Sequence, residues 1–178
     1  MPTGVILKGI GGFYYVLHND TVVECKARGI FRKKELTPLP GDNVDFSINQ
    51  EDGSGNIDKI LPRTVELIRP AVANVNQLIA TIAVSSPRAD LMLLDKLLIM
   101  AEKEGIQAII CVNKIDLDDG NSLDEIVSEY KLTGYPIILS SSKTKEGLNE
   151  LREMLKGKIT VLAGQSGVGK STLINTLM

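Results

Sequence analysis

The run Gly164-Gln165-Ser166-Gly167-Val168-Gly169-Lys170-Ser171 has the spacing G-x-x-x-x-G-K-[ST]. Its chemistry is the cradling of phosphate. Glycines let the backbone curl until successive N–H groups converge on one anion, and a helix that starts at the end of the run adds its partial positive charge. In that arrangement Lys170 neutralises the β and γ phosphates, Ser171 offers a hydroxyl to Mg²⁺, and Thr172 reaches the α phosphate. A phosphate loop does not distinguish bases. Asn113-Lys114-Ile115-Asp116 can do so, because Asp116 is able to accept from both guanine N1–H and the exocyclic amine, and adenine presents neither donor in that arrangement. Asn113 would brace the loop near guanine N7, with the Lys114 stem over the base. A third stretch, Ser140-Ser141-Ser142-Lys143, reads either as a serine-rich loop or as the segment that brings the Ser142 N–H to guanine O6, with Ser141 behind it and Lys143 beside the base.

Such groups need rigid supports, and the pattern around them provides strands and helices in alternation. From residue 76 onward, continuous apolar stretches at 78–84, 106–112, 137–139 and 159–163 alternate with helical ones at 90–103, 122–131 and 146–155. Fully apolar strands separated by helices predict a parallel sheet covered on both faces. Each chemical segment directly follows a strand, which places it at the carboxyl edge of the sheet, where ligands of open α/β sheets bind. Ser122 with Glu125 predicts a capping box, and Gly105 predicts a left-handed helix end. Residues 1–66 are different. Short apolar runs at 5–7, 13–17, 22–28, 43–48 and 56–61, punctuated by Gly and Asp turns, predict a small five-stranded barrel of the oligonucleotide/oligosaccharide-binding (OB) type. The domain boundary is expected within residues 67–74, giving domains 1–66 and 67–178.

Composition narrows the rest. With 178 residues, 43% hydrophobic, 24% charged and a formal charge of -2, the chain has no polyanion-binding excess overall, so a nucleic-acid partner would need a local patch. One such cluster exists at Lys26, Arg28, Arg32, Lys33 and Lys34, with Glu24 alone opposing it and Tyr14, Tyr15 and Phe31 available to stack; a solvated basic loop with core aromatics is the competing reading. Cys25 and Cys111 lie far apart in apolar stretches and read as buried free thiols of a reducing compartment. His18 is the only histidine, so no Cys/His zinc centre can be assembled from these residues. Neither a long apolar span nor a basic-then-apolar leader is visible, which predicts a cytoplasmic location and no membrane partner.

The order of the segments is unusual, since the base-reading run precedes the phosphate loop, so the α/β part reads as circularly permuted, with Gly157-Lys158 as the joint. A small barrel, then base loops, then a phosphate loop resembles the bacterial GTPases that depend on the small ribosomal subunit, the RsgA type. Pro40-Gly41-Asp42-Asn43-Val44, Gly55-Asn56-Ile57, Leu61-Pro62-Arg63 and Arg69-Pro70-Ala71-Val72-Ala73-Asn74-Val75 are similar to that family's barrel and interdomain segments. The departure is Asn76, where the family usually carries Asp. The resemblance implies an OB-fold barrel followed by a partial, circularly permuted P-loop GTPase domain that uses GTP or GDP and Mg²⁺, with the small (30S) subunit and its rRNA as partners and a monomeric parent. It also implies switch segments and a zinc-binding domain beyond Met178. The chain is therefore expected to be an N-terminal fragment that binds nucleotide without hydrolysing it, with a sheet edge unpaired beside residues 159–163. The rival readings are an RNA-binding module whose nucleotide site only senses, and a permuted GTPase of the large subunit.

Overall fold

The computed structural model of the chain describes its residues except 30, 32–35 and 69. They divide into two compact units, Met1–Val75 and Asn76–Met178.

In the first unit, strands β1 (Thr3–Ile10), β2 (Phe13–His18), β3 (Thr21–Ala27), β4 (Asn43–Ile48) and β5 (Gly55–Ile60) form a closed barrel in the order β1-β2-β3-β5-β4, β4 returning to pair with β1. This is the barrel that the spacing of turns predicts. Alternation places Ile6, Val16, Cys25, Val44, Phe46 and Ile57 inside, all buried. At Gly55 a Cβ would lie 2.3 Å from Cys25 Sγ, so the barrel narrows there to a point that only glycine allows.

A short ribbon, β6 (Glu66–Ile68) and β7 (Ala71–Ala73), is latched to the barrel by a buried ion pair. The Asp42 carboxylate is fully buried and takes both arms of Arg63, from Nε at 2.7 Å and Nη2 at 2.8 Å, plus the Leu39 amide at 2.7 Å. Arg63 also donates to Glu66 and to the Thr37 carbonyl, and its Asp42 hydrogen bonds push its guanidinium still further above its ordinary range. Asn74 closes the latch by donating to the Gly41 carbonyl and accepting from the Thr64 amide. Gly41 is left-handed at φ 86°, and a Cβ there would stand 2.0 Å from the Ala73 carbonyl oxygen.

The second unit is a parallel sheet in the order β10 (Ile137–Leu139), β9 (Gln107–Asn113), β8 (Gln77–Ala83), β11 (Thr160–Ala163). Helices α1 (Leu91–Glu104), α2 (Ser122–Tyr130) and α3 (Leu148–Leu155) connect the strands, and α4 (Lys170–Leu177) follows β11. Every residue of β8 is buried, Gln77 and Thr81 included, as a strand in the middle of a parallel sheet requires. Chain order runs outward from β8 to β9 and β10, then jumps back to β11 on the other side. The reversal makes the gap between β8 and β11 a topological switch point, which leaves a crevice at the strand carboxyl ends. β11 is one edge strand of this sheet and β10 the other.

Local details differ from expectation at one helix start. Ser122 and Glu125 do not form a capping box. Asn121 is the N-cap without a side-chain bond, and the two preceding carboxylates act instead: Asp119 Oδ1 accepts from the Asn121 and Ser122 amides, and Asp118 Oδ1 from Leu123. Their short side chains satisfy the first-turn donors before Ser122 can. Gly105 does end α1 in a left-handed cap, with φ 65°. Asn76, where an Asp was usual, uses Oδ1 to accept from the Ile159 amide at 3.1 Å, so the amide side chain supplies the acceptor a carboxylate would. The joint at Gly157 is left-handed, φ 66°. No helix among the described residues is long and apolar enough to cross a membrane.

Removing one partner of the buried latch leaves the other charge stranded. Asp42→Ala is expected to cost about 3 to 5 kcal/mol, and adding Arg63→Met to recover part of it. Urea unfolding read by amide hydrogen exchange in β1 and β4 checks this; a loss of under about 1 kcal/mol would show that the pair is not needed.

Candidate functional site

Each predicted segment stands at the carboxyl end of its strand, and three of the four strand ends meet. The phosphate loop after β11 turns on three glycines whose geometry other residues cannot match. Gly164 has φ 150° and a Cβ there would stand 2.0 Å from the Thr81 carbonyl oxygen, because the loop leaves β11 hard against β8. Gly167 has φ 84°. Gly169, the N-cap of α4 at φ 96°, would push a Cβ to 2.5 Å from Asn113 Nδ2. Lys170 opens α4 and folds back, donating 2.8 Å hydrogen bonds to the Gly164 and Gln165 carbonyls. These carbonyls hold the ammonium over the loop, where an anion would meet it. Ser171 and Thr172 are exposed in the first turn of α4.

The base-reading run follows β9. Asn113 is 1% exposed, and its amide bridges two strand ends: Nδ2 donates to the Val168 carbonyl of the phosphate loop at 2.8 Å, while Oδ1 accepts from Ser140 Oγ at 3.3 Å. Behind it, Cys111 Sγ lies 3.3 Å from Ser140 Oγ, and burial pushes the Cys111 thiol up to about 11, so it stays protonated. Lys114 is left-handed, φ 62°, and donates to the Ser86 carbonyl. The Asp116 carboxylate accepts from Ser141 Oγ at 2.6 Å and has Lys143 Nζ 3.8 Å from its second oxygen. Ser141 is in turn fixed by the Thr144 amide, 3.1 Å from its Oγ. Thus the carboxylate is oriented before any ligand arrives, with one hydroxyl and one mobile cation as its only side-chain partners among the described residues.

Lys114, Asp116, Leu117, Ser142, Lys143, Gly169 and Thr172 surround a cavity of about 300 Å³. Its walls come from the base-reading run, the serine loop and the phosphate loop, and it holds the volume of a purine base. Ser142 Oγ is buried beside it without a hydrogen-bond partner among the described residues. Two participants escape sequence reasoning: Leu117 contributes an apolar wall and Ser86 anchors Lys114. Ser140, within the serine run, has the unforeseen part of orienting Asn113. A leucine three residues past the lysine looks in sequence like any turn residue, and the Ser86 contact crosses 28 positions.

The basic cluster of the barrel is only partly assembled. Lys26 projects outward over the Phe13 ring at 5.2 Å, and Lys8, not singled out by sequence, lies over Tyr15 at 4.6 Å. Arg28 is 2.6 Å from the buried Asp58 carboxylate, an acidic neighbour that the run of residues around Glu24 does not reveal. Phe31, expected to be free to stack, is 6% exposed and packs in the barrel core, and Tyr14 packs partly against the same core. Apolar burial claims these two rings, and outward alternation leaves Phe13 and Tyr15 on the surface. Arg32, Lys33 and Lys34 lie outside the described residues. Both cysteines are buried and free, Cys25 raised to about 11 by burial and then by the nearby Asp58. No group of three His, Cys, Asp or Glu among the described residues is placed to hold a metal.

Comparison with known proteins covers both units. Residues 60–178 match the RsgA GTPase family and residues 3–57 the RsgA N-terminal domain. The small ribosomal subunit biogenesis GTPase RsgA of Ruminiclostridium cellulolyticum is 56% identical over 181 residues, spanning 100% of this chain and 59% of the relative; that of Alkaliphilus metalliredigens is 51% identical, spanning 100% and 61%. Among solved structures, YjeQ from Thermotoga maritima superposes with a TM-score of 0.89 at 37% identity, over 99% of this chain and 64% of that one. YloQ, described as a circularly permuted GTPase, gives 0.84 at 43% identity, over 98% and 63%. The chain thus spans about three fifths of the length of the curated relatives it matches. With a closed five-stranded barrel followed by a permuted α/β unit, and with both units matched, the chain belongs to the RsgA GTPase family.

Proposed function

We propose that the protein binds a guanine nucleotide in the second unit and, as a whole, hydrolyses GTP in the assembly of the small ribosomal subunit, residues 67–178 carrying the nucleotide and residues 1–66 meeting rRNA. The observation that carries this reading is the shared 300 Å³ cavity, which joins a guanine-type carboxylate to a phosphate loop. Asp116 would accept from N1–H and the 2-amino group, and Asn113, Lys114, Ser141, Ser142 and Lys143 would complete the base clamp. Backbone amides of Gly164, Gln165, Ser166, Gly167, Val168 and Gly169 would converge on the phosphates, and the Lys170 ammonium would leave its two carbonyls for phosphate oxygens. Thr172 would reach the α phosphate. The exposed Ser171 hydroxyl is a hard oxygen donor of the kind Mg²⁺ takes, and the ion, shared with phosphate oxygens, would supply charge neutralisation there. The names of these relatives, small ribosomal subunit biogenesis GTPases, support the ribosomal part. For RNA, Lys26 and Arg28, with Arg32, Lys33 and Lys34, remain the candidate contacts, and the aromatic neighbours are Phe13 and Tyr15.

Asp116→Asn is expected to weaken fluorescent GDP binding by at least about 10-fold and to shift preference toward xanthine nucleotides, because a carboxamide can donate to the xanthine 2-oxo group. Equal GDP affinity with no gain for XDP would remove Asp116 from the base pocket. Replacing Lys26, Arg28, Lys33 and Lys34 together by Ser should weaken binding to purified small subunits and lower the slope of log affinity against log salt by a little under about one unit per lost phosphate contact. Sedimentation binding at several salt concentrations reads the slope, and an unaltered value would return these side chains to plain solvation.

A further inference from the structure

A cleft of about 770 Å³, distinct from the base pocket, lies in the same unit. One wall is the segment that leaves β8; the other is one side of α2, from Ser122 to Glu129, with the turn before it. The first wall is tied to the nucleotide site at three points. Ser85 Oγ donates to the Leu117 carbonyl at 3.3 Å, the Ser86 carbonyl receives Lys114 Nζ, and Pro87 Cδ stands 3.6 Å from where a Cβ on Gly167 would be. The second wall continues directly from Asp116-Leu117. The walls of the cleft are therefore linked by direct contacts to the run that carries Lys114, Asp116 and Leu117.

The lining selects a ligand class. Asp119, Glu125 and Glu129 contribute three carboxylates against one guanidinium, Arg88, above a floor of buried Val84 and Ile126. Asp119 is already oriented, because the Ser122 and Asn121 amides hold Oδ1 and keep the carboxyl below the usual carboxylate range. An anion would face net repulsion. A cation on an aliphatic stem matches both features, its stem over Val84 and Ile126 and its head among the carboxylates. The volume accommodates several side chains, which suits an extended segment.

We propose that this cleft receives an arginine- or lysine-bearing segment of a protein partner, and that its occupation changes how long nucleotide stays in the base pocket to which these contacts link it. The second part rests on the nucleotide reading above; the first does not.

The test uses the whole chain and a fluorescein-labelled hexa-arginine peptide, with and without GDP. Glu125→Gln combined with Glu129→Gln should weaken peptide binding by about 10-fold, whereas Glu51→Gln with Asp52→Asn, exposed on the barrel, should change it by less than about 2-fold. Arg88→Ser should tighten binding, by removal of the one opposing charge. Dissociation of fluorescent GDP should change by at least about 3-fold on adding peptide to the wild-type chain and not in the Glu125/Glu129 variant. All variants alter exposed side chains, and circular dichroism confirms their folding. Peptide binding indifferent to Glu125 and Glu129, weakened by Arg88→Ser, or matched by spermidine at equal charge concentration would overturn the assignment. Binding at the cleft with unchanged GDP dissociation would overturn the coupling. Failure of GDP to bind at all would count against the nucleotide reading while leaving the peptide arm of the test intact.

Discussion

The hydrogen bond from Asn113 Nδ2 to the Val168 carbonyl is the contact on which the candidate site depends. It spans 55 positions and joins the loop that would read a base to the loop that would hold phosphates. Without it the two loops would be independent ends of independent strands. Buried at 1% exposure, it cannot be exchanged for water without stranding an amide and a carbonyl, so its loss costs more than an ordinary surface hydrogen bond. Its geometry also explains why Gly169 tolerates no side chain, since a Cβ would occupy the space of that amide.

The sheet makes this contact possible. Placing β8 between β9 and β11 brings the ends of β9 and β11 to either side of one buried strand, and the reversal of strand order at β8 leaves room for a ligand between them. Permutation of the chain order does not disturb that arrangement. Strand neighbours, not chain order, decide which loops face one another, and the short joint at Gly157 is enough to carry α3 into β11.

The barrel follows a different economy. Its core is small, so a fully buried Asp42 with its bidentate Arg63 is used to fasten the β6–β7 ribbon, and the outward side of β1, β2 and β3 is left with aromatic rings beneath lysines. Burying Phe31 inside serves stability; leaving Phe13 and Tyr15 outside does not, which is why the outer rings are of interest for recognition.

Local signals alone determine a good deal here. Alternation and turn residues predict five barrel strands, unbroken apolar runs predict a parallel sheet, and Gly105 predicts a helix end, because each depends on neighbours within a few positions. The phosphate loop and the Asn113 to Asp116 run are equally legible, since their chemistry is contained in consecutive residues. Tertiary structure decides what depends on distant partners. It assigns Phe31 to the core and Phe13 to the surface, pairs Arg28 with Asp58, and makes Leu117, Ser140 and Ser86 part of the site. Even the start of α2 is settled by competition, two upstream carboxylates reaching amides before Ser122 does. Which of several capable groups meets a given donor is a matter of three-dimensional distance, and a linear pattern carries that information only when the partners are close in sequence.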